Sequence, residues 1–327
     1  MRAVIVNKTK NNKLEIDDIP KPEPKINEVR IKVFFAGVNR PDILQKKGLY
    51  PPPTGASTRL GLEASGIIEK VGKNVKTLRE GDKVCGLTPG GAHADSVVLP
   101  AVHCMPIPKG LDFNQAAGLP EIFMTAWVNL FEHGGLIKGE RILIHGGSSG
   151  VGTAAIQLAK WRKTSIFCSV RNKEKAKYCE NLGAERTIVY ASEDFEEKIL
   201  KYTNQLGVNV ILDMVGGEYI LKNLNCLSHR GRLVQIAFLK GSKTNINLAP
   251  VMLKQLTITG STLRSRTVLE KERIVNLLKQ NIWPEIESGT IKTKIYQEFD
   301  LEDVELAHQK MESSSHCGKI LLKVNKI

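Results

Sequence analysis

The run Ile142-Leu143-Ile144-His145-Gly146-Gly147-Ser148-Ser149-Gly150-Val151-Gly152-Thr153-Ala154-Ala155-Ile156-Gln157-Leu158-Ala159 carries the clearest structural signal in the chain. An apolar segment of strand length enters a glycine-rich turn, and the turn opens an amphipathic helix, as a dinucleotide-binding βαβ unit requires. Glycine lets the backbone approach a pyrophosphate, and the helix start offers unpaired amides and the positive end of its dipole. Read as G-x-G-x-x-G, the motif falls on Gly147, Ser149 and Gly152, so a serine stands in the middle glycine position. The turn predicts cofactor contacts at Gly147, Ser148, Ser149, Gly150, Val151 and Gly152.

Around this turn the chain alternates between two periods. Strands are expected near Arg141–His145, Ser165–Val170, Thr187–Tyr190, Val208–Met214, Arg232–Ala237 and Leu256–Gly260, with helical stretches at 151–163, 173–181, 195–204 and 218–227. That alternation predicts a parallel sheet covered by helices on both faces, a doubly wound Rossmann-type domain. Before it the chain is β-rich, as in Val29–Phe34 and Ser65–Val71, and a helix at 269–280 leads into a strand-rich tail. Pro120 opens a helix through Trp127, where a missing amide hydrogen costs little. The other thirteen of the fourteen prolines read as punctuation outside helices. The expected organisation is a nucleotide-binding domain, 121–263, inserted into a second domain made of 1–120 and 264–327.

The end of the second expected strand selects the nucleotide. An NAD site places an acidic residue there to bind the ribose hydroxyls. Here the chain reads Val170-Arg171-Asn172-Lys173-Glu174-Lys175. Cations at Arg171 and Lys175 match the extra 2′-phosphate of NADPH through charge-assisted hydrogen bonds. The competing reading is a pair of solvated charges beside a helix start.

The 327 residues are 42% hydrophobic and 25% charged, enough to build a core and to exclude a disordered chain. No apolar run approaches a membrane span, and the six scattered cysteines lack the close spacing of a structural zinc site, so a cytoplasmic protein with free thiols is expected. A net charge of +13 raises nucleic acid as a partner. The cations are dispersed rather than blocked and no nucleic-acid-binding motif is present, so RNA association is a minor alternative.

Further motifs run along the whole chain. Gly37-Val38-Asn39-Arg40-Pro41-Asp42, Gly48-Leu49-Tyr50-Pro51-Pro52-Pro53, Gly61-Leu62-Glu63-Ala64-Ser65-Gly66, Gly81-Asp82-Lys83-Val84, Gly90-Gly91-Ala92-His93-Ala94, Thr125-Ala126 and Gly318-Lys319-Ile320 occur in that order. With them the chain resembles the medium-chain dehydrogenase/reductase superfamily, within it the zinc-independent quinone oxidoreductases, and most of all the stress-inducible NADPH:quinone reductases. The resemblance implies a GroES-like catalytic domain beside the Rossmann domain. Where zinc-dependent relatives carry Cys and His, this chain has Asn39 and Leu62, and Glu63 alone cannot make a metal site.

The same resemblance assigns the remaining roles. Tyr50 borders the substrate cleft as a hydroxyl donor, or else packs beneath its loop. Asn39, Asp42 and Glu63 sit near the space where relatives keep zinc: Asn39 holds the carboxamide or an acceptor oxygen, and Asp42 and Glu63 either belong to the site or are structural, pairing with Arg40. Thr125 touches the nicotinamide or merely bonds its own helix. Tyr190 contacts the adenosine side or packs in the core, Lys319 belongs with the cofactor contacts, and His145 and Trp127 are scaffold. A homodimer is expected through the edge strand Leu256–Gly260. The implied reaction is reduction of a quinone by NADPH. Its alternatives are reduction of an enone or enoyl thioester by the same cofactor, and nucleotide binding with little catalysis in an RNA-associated protein.

Overall fold

The computed structural model describes residues 1–326. The chain separates into two compact units, Met1–Met124 with Arg264–Ile327, and Thr125–Leu263. The first changeover falls within the helix Pro120–Trp127, a few residues past the boundary expected after residue 120.

The inserted unit is built on six parallel strands in the order Arg186–Val189, Ser165–Val170, Arg141–His145, Val208–Asp213, Leu227–Gln235 and Thr257–Gly260. The chain reverses its direction of winding beside Arg141–His145, so the carboxyl end of that strand lies at the topological switch point, where open α/β sheets bind ligands. Ile142, Leu143 and Ile144 are fully buried, as a strand covered on both faces demands. The expected strand at Arg232 begins earlier, at Leu227. The intervening Ser228-His229-Arg230-Gly231 conceals it: Arg230 takes a left-handed φ of 58°, and the pairing with Val208–Asp213 skips from Val208↔Leu227 to Val210↔Arg232. Polar residues at a bulge do not alternate like a strand.

The other unit carries a seven-stranded sheet. Its path runs Ile295–Asp300, Lys319–Lys323, Glu28–Val38, Glu63–Val71, Lys83–Leu87 and Cys104–Pro106, with Ser96–Pro100 also paired to Glu28–Val38. Val29, Ile31 and Val33, spaced two apart, enter a core with Leu99, Ile320 and Leu322. Two registers position the residues that matter below. The last strand runs antiparallel to Glu28–Val38 with Ile320 opposite Val38, and Ala36 pairs with Ala64 on the other side. Asn39, Glu63 and Lys319 therefore converge from three distant parts of the chain.

The prolines correct one expectation. Pro41, Pro250 and Pro284 lie in the first turns of the helices Arg40–Lys46, Ala249–Leu253 and Trp283–Glu287, where the missing amide hydrogen has no intrahelical acceptor in any case. Among the described residues no helix is long and apolar enough to cross a membrane.

Candidate active site

In the inserted unit the glycine turn leads from Arg141–His145 into the helix Gly150–Trp161. Ser149 is the residue before the helix, with φ −69° and ψ 166°, and its hydroxyl accepts the Gly152 amide at 3.0 Å. This explains the departure from the glycine motif: the backbone there is extended, so no glycine is needed, and serine is a favoured cap. Gly152 has no such freedom, because a Cβ on it would stand 2.3 Å from the Gly146 carbonyl oxygen. The Ser169 carbonyl holds the turn from below by accepting the amides of Gly146 and Gly147. The Ser169 hydroxyl lies 2.7 Å from His145 Nδ1, and His145 Nε2 reaches Asn223 Oδ1 at 2.7 Å. Buried and hydrogen-bonded at both nitrogens, His145 is part of the turn's foundation.

Among the described residues the amides of Ser148, Gly150 and Val151 find no protein acceptor. Three free donors at a helix start, with glycine at the close approach, fit the pyrophosphate of a dinucleotide. Arg171 follows the strand Ser165–Val170 and is exposed, whereas Lys175 is buried in the first turn of Lys173–Leu182. Tyr190 is 43% exposed and tied by its amide to the Val170 carbonyl. Thr125 is half-buried, and its carbonyl accepts the Asn129 side chain at 2.8 Å.

The second cluster lies wholly in the other unit. Lys319 is 2% exposed, and its ammonium donates to Glu63 Oε1 at 2.5 Å and Asn39 Oδ1 at 2.6 Å, with the Val38 carbonyl at 3.4 Å. Asn39 returns a bond from Nδ2 to the same Glu63 oxygen at 2.9 Å. The other Glu63 oxygen accepts the Glu121 amide at 2.8 Å. Gly37 makes this arrangement possible, since a Cβ there would lie 2.1 Å from Glu63 Oε1. An ammonium has three hydrogens to give, so Lys319, placed by resemblance among the cofactor contacts, has its donors directed to these three partners.

Asp42 accepts the Asn39 amide and the Gly61 amide, each at 2.8 Å, joining the helix start to the loop before Glu63. Arg40 is not its partner, contrary to expectation: that guanidinium donates to the Met311 carbonyl and the Ser314 hydroxyl. Tyr50 is half-buried, with the Arg264 guanidinium 5.9 Å from its ring. Burial raises its phenol above the ordinary value, Glu121 adds to the rise, and Arg264 opposes it. The hydroxyl is therefore protonated at neutral pH and can donate a hydrogen bond. Among the described residues no three His, Cys, Asp or Glu side chains form a metal-ligand set, and the local cation at Asn39 and Glu63 is an ammonium of the chain itself.

Sequence reasoning missed Glu121. It reads as an ordinary acidic residue in a helix first turn, and its burial arises from strands and helices remote in sequence.

The comparisons with known proteins accord with this construction. The family model for the alcohol dehydrogenase GroES-like domain matches residues 25–109, and that for the zinc-binding dehydrogenase domain matches residues 150–280. Human quinone oxidoreductase is 31% identical over 309 residues, covering 93% of this chain and 92% of its own. The crystal structure of Escherichia coli quinone oxidoreductase complexed with NADPH is 29% identical, covers 95% of both chains and superposes with a TM-score of 0.86. The CurK enoyl reductase structure is 27% identical, covers 99% of both chains and gives a TM-score of 0.87. A phenolphthiocerol/phthiocerol polyketide synthase of Mycobacterium tuberculosis also matches, at 30% identity, but this chain spans 14% of its length. A GroES-like unit joined to a Rossmann-type sheet defines the medium-chain dehydrogenase/reductase superfamily. The chain belongs to that superfamily, in its quinone oxidoreductase-like branch.

Proposed function

We propose that this protein is an NADPH-dependent oxidoreductase that reduces a quinone without a metal. The observation that carries the reading is the set of three acceptor-free amides at the glycine turn, followed at the end of the next strand by Arg171. When bound, the nicotinamide cofactor supplies the hydride. Ser148, Gly150 and Val151 hold the pyrophosphate, Gly147 and Gly152 keep the approach open, and Ser149 fixes the helix start. Arg171 and Lys175 receive the 2′-phosphate, Tyr190 lies against the adenosine and Thr125 against the nicotinamide. The inserted unit, expected at 121–263 and found at Thr125–Leu263, serves in this reading as the nucleotide domain, and the unit expected at 1–120 with 264–327 as the catalytic domain. In the latter, Tyr50 donates to the acceptor oxygen as negative charge develops there. Asn39, assigned here to the carboxamide or an acceptor oxygen, has its side chain fixed between Lys319 and Glu63.

A cytosolic homodimer belongs to this reading. The edge strand Thr257–Gly260 is paired on one side, and Met252 and Leu253 in the preceding helix are 73% and 72% exposed, the kind of edge and apolar surface that a second copy covers.

A second reading, reduction of an enone or enoyl thioester, is favoured by the likeness to the CurK enoyl reductase. Steady-state NADPH oxidation with a small ortho- or para-quinone and with an enoyl-CoA separates the two. A kcat/KM for the quinone at least tenfold above that for the thioester is expected. Saturation with the thioester and none with the quinone would reverse the assignment.

A further inference from the structure

Glu121 is 9% exposed, yet its carboxyl has no hydrogen-bond or ion-pair partner among the described residues. Its backbone amide is committed to Glu63, and its side chain feels the charge of groups from several other segments of the same unit. These groups are Glu63 from one strand and Lys319 from another, Asp42 from the helix Arg40–Lys46, Lys271 from Val268–Asn281, and Tyr50 and Arg264 from loops. The three cations have other oxygens within reach. Lys319 is on Glu63 and Asn39, Lys271 donates to the Arg264 carbonyl at 2.7 Å, and Arg264 donates to Gln45 Oε1 at 2.5 Å and the Pro89 carbonyl at 3.0 Å. The Glu121 carboxyl oxygens retain a little solvent contact, but a largely buried carboxylate without a donor is still costly. The group escapes that cost by keeping its proton.

The titration of Glu121 follows from this geometry. Burial pushes its carboxyl up to about 8, the Glu63 charge pushes the same way, and Lys319 opposes it only in part. At neutral pH the site therefore contains an acid that can release a proton within the physiological range.

We propose that Glu121 is the proton donor of this reductase, a role that rests on the acceptor-reduction reading above. Two-electron reduction of a quinone takes up one hydride and one proton. The hydride comes from the reduced nucleotide, the Glu121 O–H bond breaks, and an O–H bond forms on the acceptor. The carboxylate left behind regains its proton from solvent before the next turnover. Tyr50 orients the acceptor oxygen, and its own phenolic proton need not leave.

The test combines activity with a measurement made without any cofactor. In Glu121→Gln, kcat with a quinone is expected to fall by about 10²–10⁴, the usual range for losing a general acid. The decline of the wild-type rate above about pH 8 should vanish with it, while Glu121→Asp keeps a slower rate and an alkaline limb. In the cofactor-free protein at pH 7, infrared difference spectra between wild type and Glu121→Gln should show a protonated carboxyl that is lost in the variant. Stability gives an independent check. A folded-state pKa above the unfolded one means that the contribution is present in acid and lost as pH rises. Wild type should therefore lose Tm relative to Glu121→Gln between the ordinary carboxylate range and about pH 8. An unchanged kcat and pH profile in Glu121→Gln, or an ionised Glu121 at pH 7, would overturn the role. Wild-type inertness toward quinones and enoyl thioesters alike would overturn the reductase reading and the donor role together, whatever the infrared spectra show.

Discussion

Replacing Lys319 by methionine should destabilise the chain by about 3–5 kcal/mol, the usual result of removing one partner from a buried ion pair. Methionine preserves much of the volume, so the loss is electrostatic. Glu63 is 0% exposed and, among the described residues, keeps only the Asn39 side chain and the Glu121 amide once the ammonium is gone. Chemical denaturation gives the magnitude directly. The double variant Lys319→Met/Glu63→Gln should recover part of the loss, because a neutral amide in the pocket no longer needs a cation. Strictly additive losses in the two single variants would show that the pair is not coupled. The same substitution tests how Lys319 relates to the cofactor. Acting through Asn39 and Glu63, it should lower turnover with a much smaller change in nucleotide affinity, whereas a collapse of affinity with normal turnover would mark a direct contact.

The second large effect concerns the choice of nucleotide. Arg171→Ala should weaken NADPH roughly tenfold to a hundredfold and leave NADH within about twofold. A hydrogen bond to a charged group contributes about 1.5–3 kcal/mol, and only NADPH carries the 2′-phosphate. Arg171 is the more direct test because it is exposed, whereas Lys175 is buried in a helix first turn. A Lys175→Ala change would therefore mix lost packing with lost charge. Equal weakening of both nucleotides by Arg171→Ala would place the phosphate elsewhere.

What could be read from the sequence followed from local signals. Ile142-Leu143-Ile144 ahead of a glycine turn announces a buried strand and its binding turn without tertiary information, and the alternation after it predicts the sheet. The bulge at Arg230 was hidden because its residues follow neither period. Ser149 reads as a departure from the glycine motif, and only the structure shows its hydroxyl accepting the Gly152 amide. The β-rich character of the other unit and its assembly from both chain ends follow from the residues, but its candidate site residues come only from resemblance. Asn39, Glu63, Glu121 and Lys319 lie far apart in sequence, and nothing within any one segment shows that strand registers bring them together. The expected partnership of Arg40 with Asp42 and Glu63 failed for the same reason, since adjacency in sequence does not reveal that Arg40 bonds to Met311 and Ser314. Glu121 is the sharpest case: its residue type predicts an exposed charge, and only its surroundings make it an acid.

The most direct test is isothermal titration of the purified protein with NADPH and, separately, with NADH. Saturable heat at one site per chain, with NADPH bound more tightly than NADH, is the result expected of the acceptor-free amides and Arg171. An absence of binding heat from either nucleotide, over a range of temperatures that excludes a vanishing enthalpy, would contradict the assignment of this fold to nicotinamide chemistry.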